Sequence, residues 1–397
     1  MIYFFTFLIL FFFFIHFDVR GKRKYGNFFY FFSYIVLVSI AAFRYRVGGD
    51  SLGYFDEYSS YPTMSDIFTT DFSSMRYQPL FYLFAAVCKL FGDNFFYFQL
   101  FHAIFINLII FLFLKRYSQY KFAAILLYYL LYYLYFNMEI LRESLSVCIF
   151  LIAVQYLINK SYIRYYILII IAYFLHSSAI FLFVLPVFVY FLNKNKLYFI
   201  LLLLGVIILY MYVISNRKDI LHIIPPKLAL KMFGYISRDL TSIGTMAIYL
   251  LKGLGLSLFL WVEKGNPVKK NIFVPFIWIG LLVFLLSPII YGFNRIINYF
   301  SIIIIVFIIN TFSLVPIIKR KVNQISTFSL SFALFIFLSL QCKYLTNDTS
   351  RFVPNTRFYN RYFPYESIFS GESHYNRENI YYNTLKFYHD TSPDDIY

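Results

Sequence analysis

Long uninterrupted runs of apolar residues recur along the chain, separated by short basic clusters and by a few polar stretches. The run LYFILLLLGVIILYMYVI at 197–214 shows the pattern. About 20 such residues in helical form cross a bilayer. The runs are continuous and do not alternate residue by residue, which argues for helices and against the strands of a membrane barrel. Crossings are predicted near 1–17, 26–43, 95–114, 122–136, 143–159, 197–214, 245–262, 272–292, 296–316 and 325–341. Segment 79–92 is short for a crossing, and 163–192 is too long for one straight helix and carries His176 in its middle. The expected class is an all-α polytopic integral membrane protein with about 10–12 transmembrane helices, one or two of them re-entrant or broken.

Basic residues orient this map. Lys and Arg gather in cytoplasmic loops, and the clusters Arg20–Lys24, Lys115–Lys121, Lys160–Arg164, Lys194–Lys196, Lys264–Lys270 and Lys319–Lys321 all fit that side. They do so if 79–92 does not cross fully and 163–192 enters and returns as a hairpin near His176. Segments 44–78, 137–142, 215–244, 292–295 and the C-terminal tail then face outward. The loop 215–244 opposes this mildly, with five Lys/Arg against two Asp. The first 17 residues are apolar and the positive charge follows them. A secretory signal has the reverse order, so 1–17 reads as a retained helix.

Composition sharpens the class. The 397 residues are 61% hydrophobic and 14% charged, with a net charge of +16. Positive-inside topology explains most of this excess, and the remainder suits a phosphate or pyrophosphate ligand. There is no soluble basic domain to hold nucleic acid. Cys88, Cys148 and Cys342 show neither disulfide nor zinc spacing. No P-loop, H-E-x-x-H or G-x-S-x-G occurs, so nothing points to an ATP-driven motor, a zinc protease or a serine hydrolase. No metal and no cofactor are expected. Residues 1–342 read as the transmembrane domain. Residues 343–397 form a polar, Tyr- and Asn-rich tail, partly ordered, that suits a lid over the outward face.

Charged residues in or beside apolar segments are functional candidates by default. Four clusters qualify. In FRYRVGGDSLGYFDEYSSY, Arg44 and Arg46 precede Gly48, Gly49 and Asp50. The glycines let the chain turn back across the mouth of the bundle. The guanidinium forks suit phosphate oxygens, and Asp50 suits orienting an arginine or taking a hydroxyl proton. In NMEILRESLS, Glu139 and Arg142 are three apart and share a helix face; Glu139 reads equally well as an intrahelical ion-pair partner. In AYFLHSSA, His176 reads as a satisfied core residue or as a proton acceptor. In YGFNRIINYF, Arg295 is followed three residues on by Asn298, at the start of a crossing.

These clusters, in this order, resemble the EpsG family of bacterial exopolysaccharide proteins, related to Wzy-type O-antigen polymerases. The family tends to show R-x-x-x-G-x-D with a Tyr four residues later, matched by Arg44, Gly48, Asp50 and Tyr54. Gln78, in YQPLFYLF, stands where the family carries an acid. Arg142 to Ser146 match a helix start R-[QE]-x-[LI]-[AS], Ala172 to Ala179 match A-Y-x-x-H-x-[ST]-A, and Arg295 to Tyr299 match R-x-x-x-Y. The resemblance spans roughly residues 30–300.

The resemblance implies a GT-C-like membrane glycosyltransferase architecture, in the bacterial cytoplasmic membrane with its active site facing outward. The implied activity joins lipid-linked oligosaccharide repeat units on undecaprenyl pyrophosphate into surface polysaccharide. Arg44, Arg142 and Arg295 are then expected on pyrophosphate with Arg46 in support. Asp50 and His176 are the base candidates, and Tyr54, Glu139 and Asn298 contact substrate. The expected partners are the lipid-linked substrate, membrane lipid, a flippase and a chain-length regulator. Two other readings stay open: a flippase or exporter, which would spread its cations along a central cavity, and a membrane acyltransferase, which would want a deep His reached from the cytoplasm.

Overall fold

In the computed structural model the residues described are 1–194, 243–264, 271–287, 293–313, 348–350 and 353–390, with isolated helical positions between 201 and 212 and between 331 and 340. The crossings expected at 197–214 and 325–341, the loop 215–244 and Cys342 lie wholly or mainly outside them. Helix dominates the described residues, and the only extended pairings among them are isolated bridges, Arg44 with Ser367 and Asp348 with Arg357. The chain is an all-α polytopic membrane protein. Five helices among the described residues are long and apolar enough to cross a bilayer.

The chain divides into two compact units. One comprises Met1–Tyr156, Ile163–Ser177 and Leu338–Tyr397, so the polar tail belongs with the N-terminal half; the other comprises Leu157–Tyr162 and Ser178–Phe337.

In the first unit, α1 (Ile2–Phe13) runs on through a π-helical turn to Val19. It is followed by α2 (Gly26–Ala42) and the short α3 (Asp50–Glu57). Next come α4 (Pro79–Lys89) and α5 (Phe95–Tyr117). Pro79 opens α4, where its missing N–H costs nothing. At 11 residues, α4 is about 16 Å long and too short to cross, as its sequence suggests. The Asn94 side chain caps α5 by accepting from the Phe96 amide at 2.8 Å. Lys115 and Arg116 close α5, where the helix dipole favours cations.

Then come α6 (Lys121–Tyr128), a π-helical turn to Tyr133 and α7 (Leu134–Met138). The Asp18 carboxylate accepts the Ala123 amide at 2.7 Å and so caps α6. A buried polar knot fastens α5 to this broken helix. Asn107 donates to Asn137 at 2.8 Å, Tyr128 donates to Asn107 at 3.0 Å, and Asn137 donates to Tyr128 at 2.9 Å. Such a network is stable in an apolar core only when its members are satisfied. The helix breaks again at Glu139–Ile140 before α8 (Leu141–Ile158).

The long apolar stretch after α8 is interrupted where its length requires. Helix α9 (Tyr162–Leu175) stops one residue before His176, and a 3-10 segment occupies Ser177–Val184. In the second unit follow α10 (Leu185–Lys194), α11 (Ile243–Lys264), α12 (Val274–Leu286) and α13 (Phe293–Ser313). The last described element of the tail is α14 (Tyr375–Asp390), which packs on α3.

Candidate functional site

The double glycine answers to a buried carboxylate. Glu139, 3% exposed, sits in the break between α7 and α8. Its two oxygens accept the amides of Gly49 at 2.7 Å and Asp50 at 3.0 Å. These are the first free N–H groups of α3, so the carboxylate serves as that helix's cap and meets its positive dipole end. The loop must come close to do this. A Cβ at Gly49 would lie 2.8 Å from the Glu139 carboxylate and 2.9 Å from the Arg361 guanidinium. Gly48 has φ +110°, which glycine alone adopts freely, and its amide donates to the Arg361 carbonyl at 2.8 Å.

With α3 held this way, Asp50, Tyr54 and Glu57 fall on one helix stripe. Asp50 is exposed at the helix start, and Tyr54 is buried. The Tyr54 hydroxyl accepts from Arg142 Nε at 2.8 Å, and Gln78 Oε1 accepts from Arg142 Nη1 at 3.3 Å. The guanidinium carbon lies 4.1 Å from the Tyr77 ring centre and 5.9 Å from those of Tyr54 and Phe81. Arg142 is thus half-buried in an aromatic cage, and all its partners are neutral. Among the described residues no carboxylate pairs with it.

Glu57 supports the cage from beneath. It accepts from Tyr77 at 2.7 Å and Tyr61 at 3.2 Å, and it pairs with Arg76 at 2.6 Å. Burial, the hydrogen bond to Glu57 and the neighbouring Tyr54 hold the Tyr77 hydroxyl well above its usual range, so it stays a neutral donor.

The two other candidate arginines of the first unit have different surroundings. Arg46, with φ +47°, donates to Glu378 at 2.5 Å, Asp56 at 3.2 Å and Tyr382 at 3.1 Å, and stacks on Phe55 at 4.7 Å. Arg44 is fully buried. It donates to the Ala41 carbonyl, and its Nε and Nη2 meet no acceptor among the described residues. Burial brings its pKa down to about 10, which leaves it cationic at neutral pH.

The tail packs against this loop. Ile368 donates to the Phe43 carbonyl and Tyr45 donates to the Glu366 carbonyl, both at 2.9 Å. Arg377, fully buried, donates to the carbonyls of Asn360, Arg361, Pro364 and Arg46 and pairs with Glu366. Tyr381 lies over Gly53. Its hydroxyl is pushed up to about 12 by burial and by the charges of Asp50, Asp56 and Glu57.

His176 is 4% exposed at the end of α9. Ser146 of α8 donates to the Ala172 carbonyl at 2.8 Å, which joins two of the sequence clusters. His102 of α5 was not singled out in the sequence. It is fully buried, with Nε2 2.9 Å from the Leu141 carbonyl and 3.1 Å from Ser144 Oγ, and so anchors the start of α8 behind Arg142. In the second unit Arg295 is exposed and Asn298 buried on α13. There Ser178 and Tyr299 share a hydrogen bond at 2.9 Å, which links the A-Y-x-x-H-x-[ST]-A and R-x-x-x-Y motifs.

Of the candidates in the first unit, Tyr54 and Arg142 touch each other, and Asp50 shares Glu139 with Gly49. Arg44 and Arg46 each face other partners. Sequence reasoning missed Glu57, Tyr77 and Phe81 as cage residues. The spacing of Glu57 from Tyr54 within α3 is a helical signal that marks it; Tyr77 precedes α4 and has no such signal.

Fold and site together define a multi-pass helical membrane protein with a caged arginine at the start of α8. A model of the EpsG family matches residues 27–367. The chain belongs to that family, whose members are Wzy-type polymerases. No curated protein and no solved structure matches it. The match runs past residue 300, where the motifs stop, and takes in the tail to Ser367. Arg377, Glu378 and α14 lie beyond it.

Proposed function

We propose that this protein polymerises oligosaccharide repeat units carried on undecaprenyl pyrophosphate, at the outer face of the bacterial cytoplasmic membrane. The observation that carries the reading is Arg142, a half-buried guanidinium whose partners among the described residues are all neutral. Such a cation lacks the anion that usually accompanies it in a low-dielectric setting. A pyrophosphate oxygen fills that role. In the reaction the anomeric carbon–oxygen bond to the pyrophosphate breaks, and the acceptor sugar hydroxyl forms the new glycosidic bond. Charge builds on the leaving pyrophosphate, and a fixed guanidinium stabilises it. The acceptor proton passes to a base; between Asp50 and His176, exposure favours Asp50, one turn before Tyr54. The donor is already activated, so the step needs no ATP. Flippase and chain-length regulator are the partners this chemistry calls for.

The test is complementation of a deletion host with wild type, Arg142→Ala and Asp50→Asn, with surface polysaccharide resolved on a gel. Single-unit bands in place of a ladder, at normal membrane levels of protein, support the proposal. An unchanged ladder with Arg142→Ala refutes it. Accumulation of unflipped lipid-linked units points to a flippase.

A further inference from the structure

The second unit holds a cavity of roughly 1070 Å³ built from helix ends. The last residues of α8, α10 and α11 line it, together with the first residues of α9 and α12. Three lysines border it, Lys160, Lys194 and Lys264, against a single glutamate, Glu263. Glu263 is 3% exposed and accepts the Asn271 amide at 2.8 Å, which commits one of its oxygens to the α11–α12 turn. Both tryptophans of the chain, Trp261 and Trp278, also line the cavity.

Each lysine taken alone suits a helix C-terminus, where the dipole favours a cation. Dipole complementarity does not require three of them around one space. It also does not explain the two tryptophans beside them. Trp belongs at the membrane–water interface, where its ring meets acyl chains and its N–H meets headgroups. All three lysines fall in the basic clusters that the charge pattern assigns to the cytoplasmic side, the leaflet face where basic pockets between helices hold anionic lipid headgroups. The rest of the lining is largely apolar, with Leu260 and Phe276 among it. A free phosphate ion has no use for such a wall, whereas an acyl chain does.

The geometry points to a binding site for an anionic phospholipid, its phosphate among Lys160, Lys194 and Lys264 and its acyl chain along the tryptophans. The site is separate from the polymerase proposal and stands or falls without it.

Trp261 and Trp278 report the site directly, because the chain has no other tryptophan. The full-length protein is placed in mixed micelles and titrated with brominated phosphatidylglycerol or brominated phosphatidylcholine. Each lysine near an anionic headgroup is worth about a fivefold change in affinity. Phosphatidylglycerol is therefore expected to reach half-quenching at a concentration lower by about tenfold or more than phosphatidylcholine. The triple replacement Lys160→Gln/Lys194→Gln/Lys264→Gln should bring the two lipids level, and the triple Arg replacement should keep the preference. Lys194→Gln alone, at an exposed position, should reduce the preference about fivefold without disturbing the fold. Equal quenching by both lipids in the wild type overturns the inference. So does a preference that survives the Gln replacements. Loss of the preference on adding inorganic phosphate, but not potassium chloride at equal ionic strength, assigns the lysines to a free anion and overturns the lipid reading.

Discussion

Glu139 accepts the amide of Gly49 at 2.7 Å, across a sequence separation of 90 residues. With the Asp50 amide on its other oxygen, this one carboxylate fixes where α3 begins. Everything α3 presents, from Asp50 to Glu57, takes its position from that cap. Removing it by Glu139→Ala leaves two amides without their acceptor, at about 1–3 kcal/mol for the buried one of Gly49 and less for that of Asp50. Gly49→Ala attacks the same contact from the other side, since its methyl would meet Glu139 and Arg361. Both variants are expected to lower the thermal midpoint of the detergent-solubilised protein, whereas Glu139→Gln, which keeps one carbonyl oxygen, falls between. A Glu139→Ala midpoint equal to wild type would show that the cap does not hold α3.

Tyr77 separates two contributions to the Arg142 cage. Its ring lies under the guanidinium, and its hydroxyl donates to Glu57. Tyr77→Phe keeps the ring and loses the donor; Tyr77→Leu loses both. Cation–π contacts at partly desolvated sites are worth about 0.5–2 kcal/mol. Polymer length on a gel should therefore stay near wild type with Tyr77→Phe and fall clearly with Tyr77→Leu. Equal loss in both would assign the effect to the Glu57 hydrogen bond instead.

How much of this was legible in the chain depends on the distance over which each interaction acts. The apolar runs act through the bilayer and were plain, as was the need for a break near His176. The glycines announced a close turn, but its reason lies in Glu139, far along the sequence, and no local pattern reveals which carboxylate will arrive. Arg44 and Arg46 look alike on paper. They differ because the tail supplies Glu378 to Arg46, while Arg44 is walled into the bundle. Segment 50–57 falls in the outward stretch 44–78, and the cap from Glu139 starts a helix there. Arg142 was legible as a cation opening an apolar helix, but its cage was not: YQPLFYLF drew attention only to Gln78, because which rings meet Arg142 is set by contacts about 60–90 residues apart.

Arg377 holds the tail in one shape. Its guanidinium is fully buried, paired with Glu366 and bonded to four backbone carbonyls. Arg377→Ala leaves a partly buried carboxylate and several carbonyls unanswered, and removal of one partner from such a pair costs about 3–5 kcal/mol. The tail should then be cut by protease within 353–386 under conditions that leave the wild-type tail intact. Arg377→Lys keeps the charge but not the fork, and should protect only in part. A tail equally resistant in all three proteins would show that other contacts suffice.

The link between Arg46 and Glu378 should make tail docking sensitive to acid. Burial alone would raise the Glu378 carboxyl, but the hydrogen bond from Ser373 and the guanidinium of Arg46 outweigh it and hold the carboxyl below its usual 4.5. A carboxyl depressed in the folded state contributes its stability fully above the unfolded value. It loses that stability as pH falls through the folded one. Docking of α14 is therefore expected to be constant from neutral pH down to about 5 and to weaken at lower pH as Glu378 takes up a proton. Hydrogen exchange of residues 373–386, corrected for the intrinsic pH dependence of exchange, measures this. Glu378→Gln should exchange faster than wild type at neutral pH and lose most of the acid-induced increase. If the wild type and Glu378→Gln respond to acid alike, the Arg46–Glu378 pair does not hold the tail, and among the described residues the Arg377–Glu366 and Arg361–Glu139 pairs are left to account for its docking.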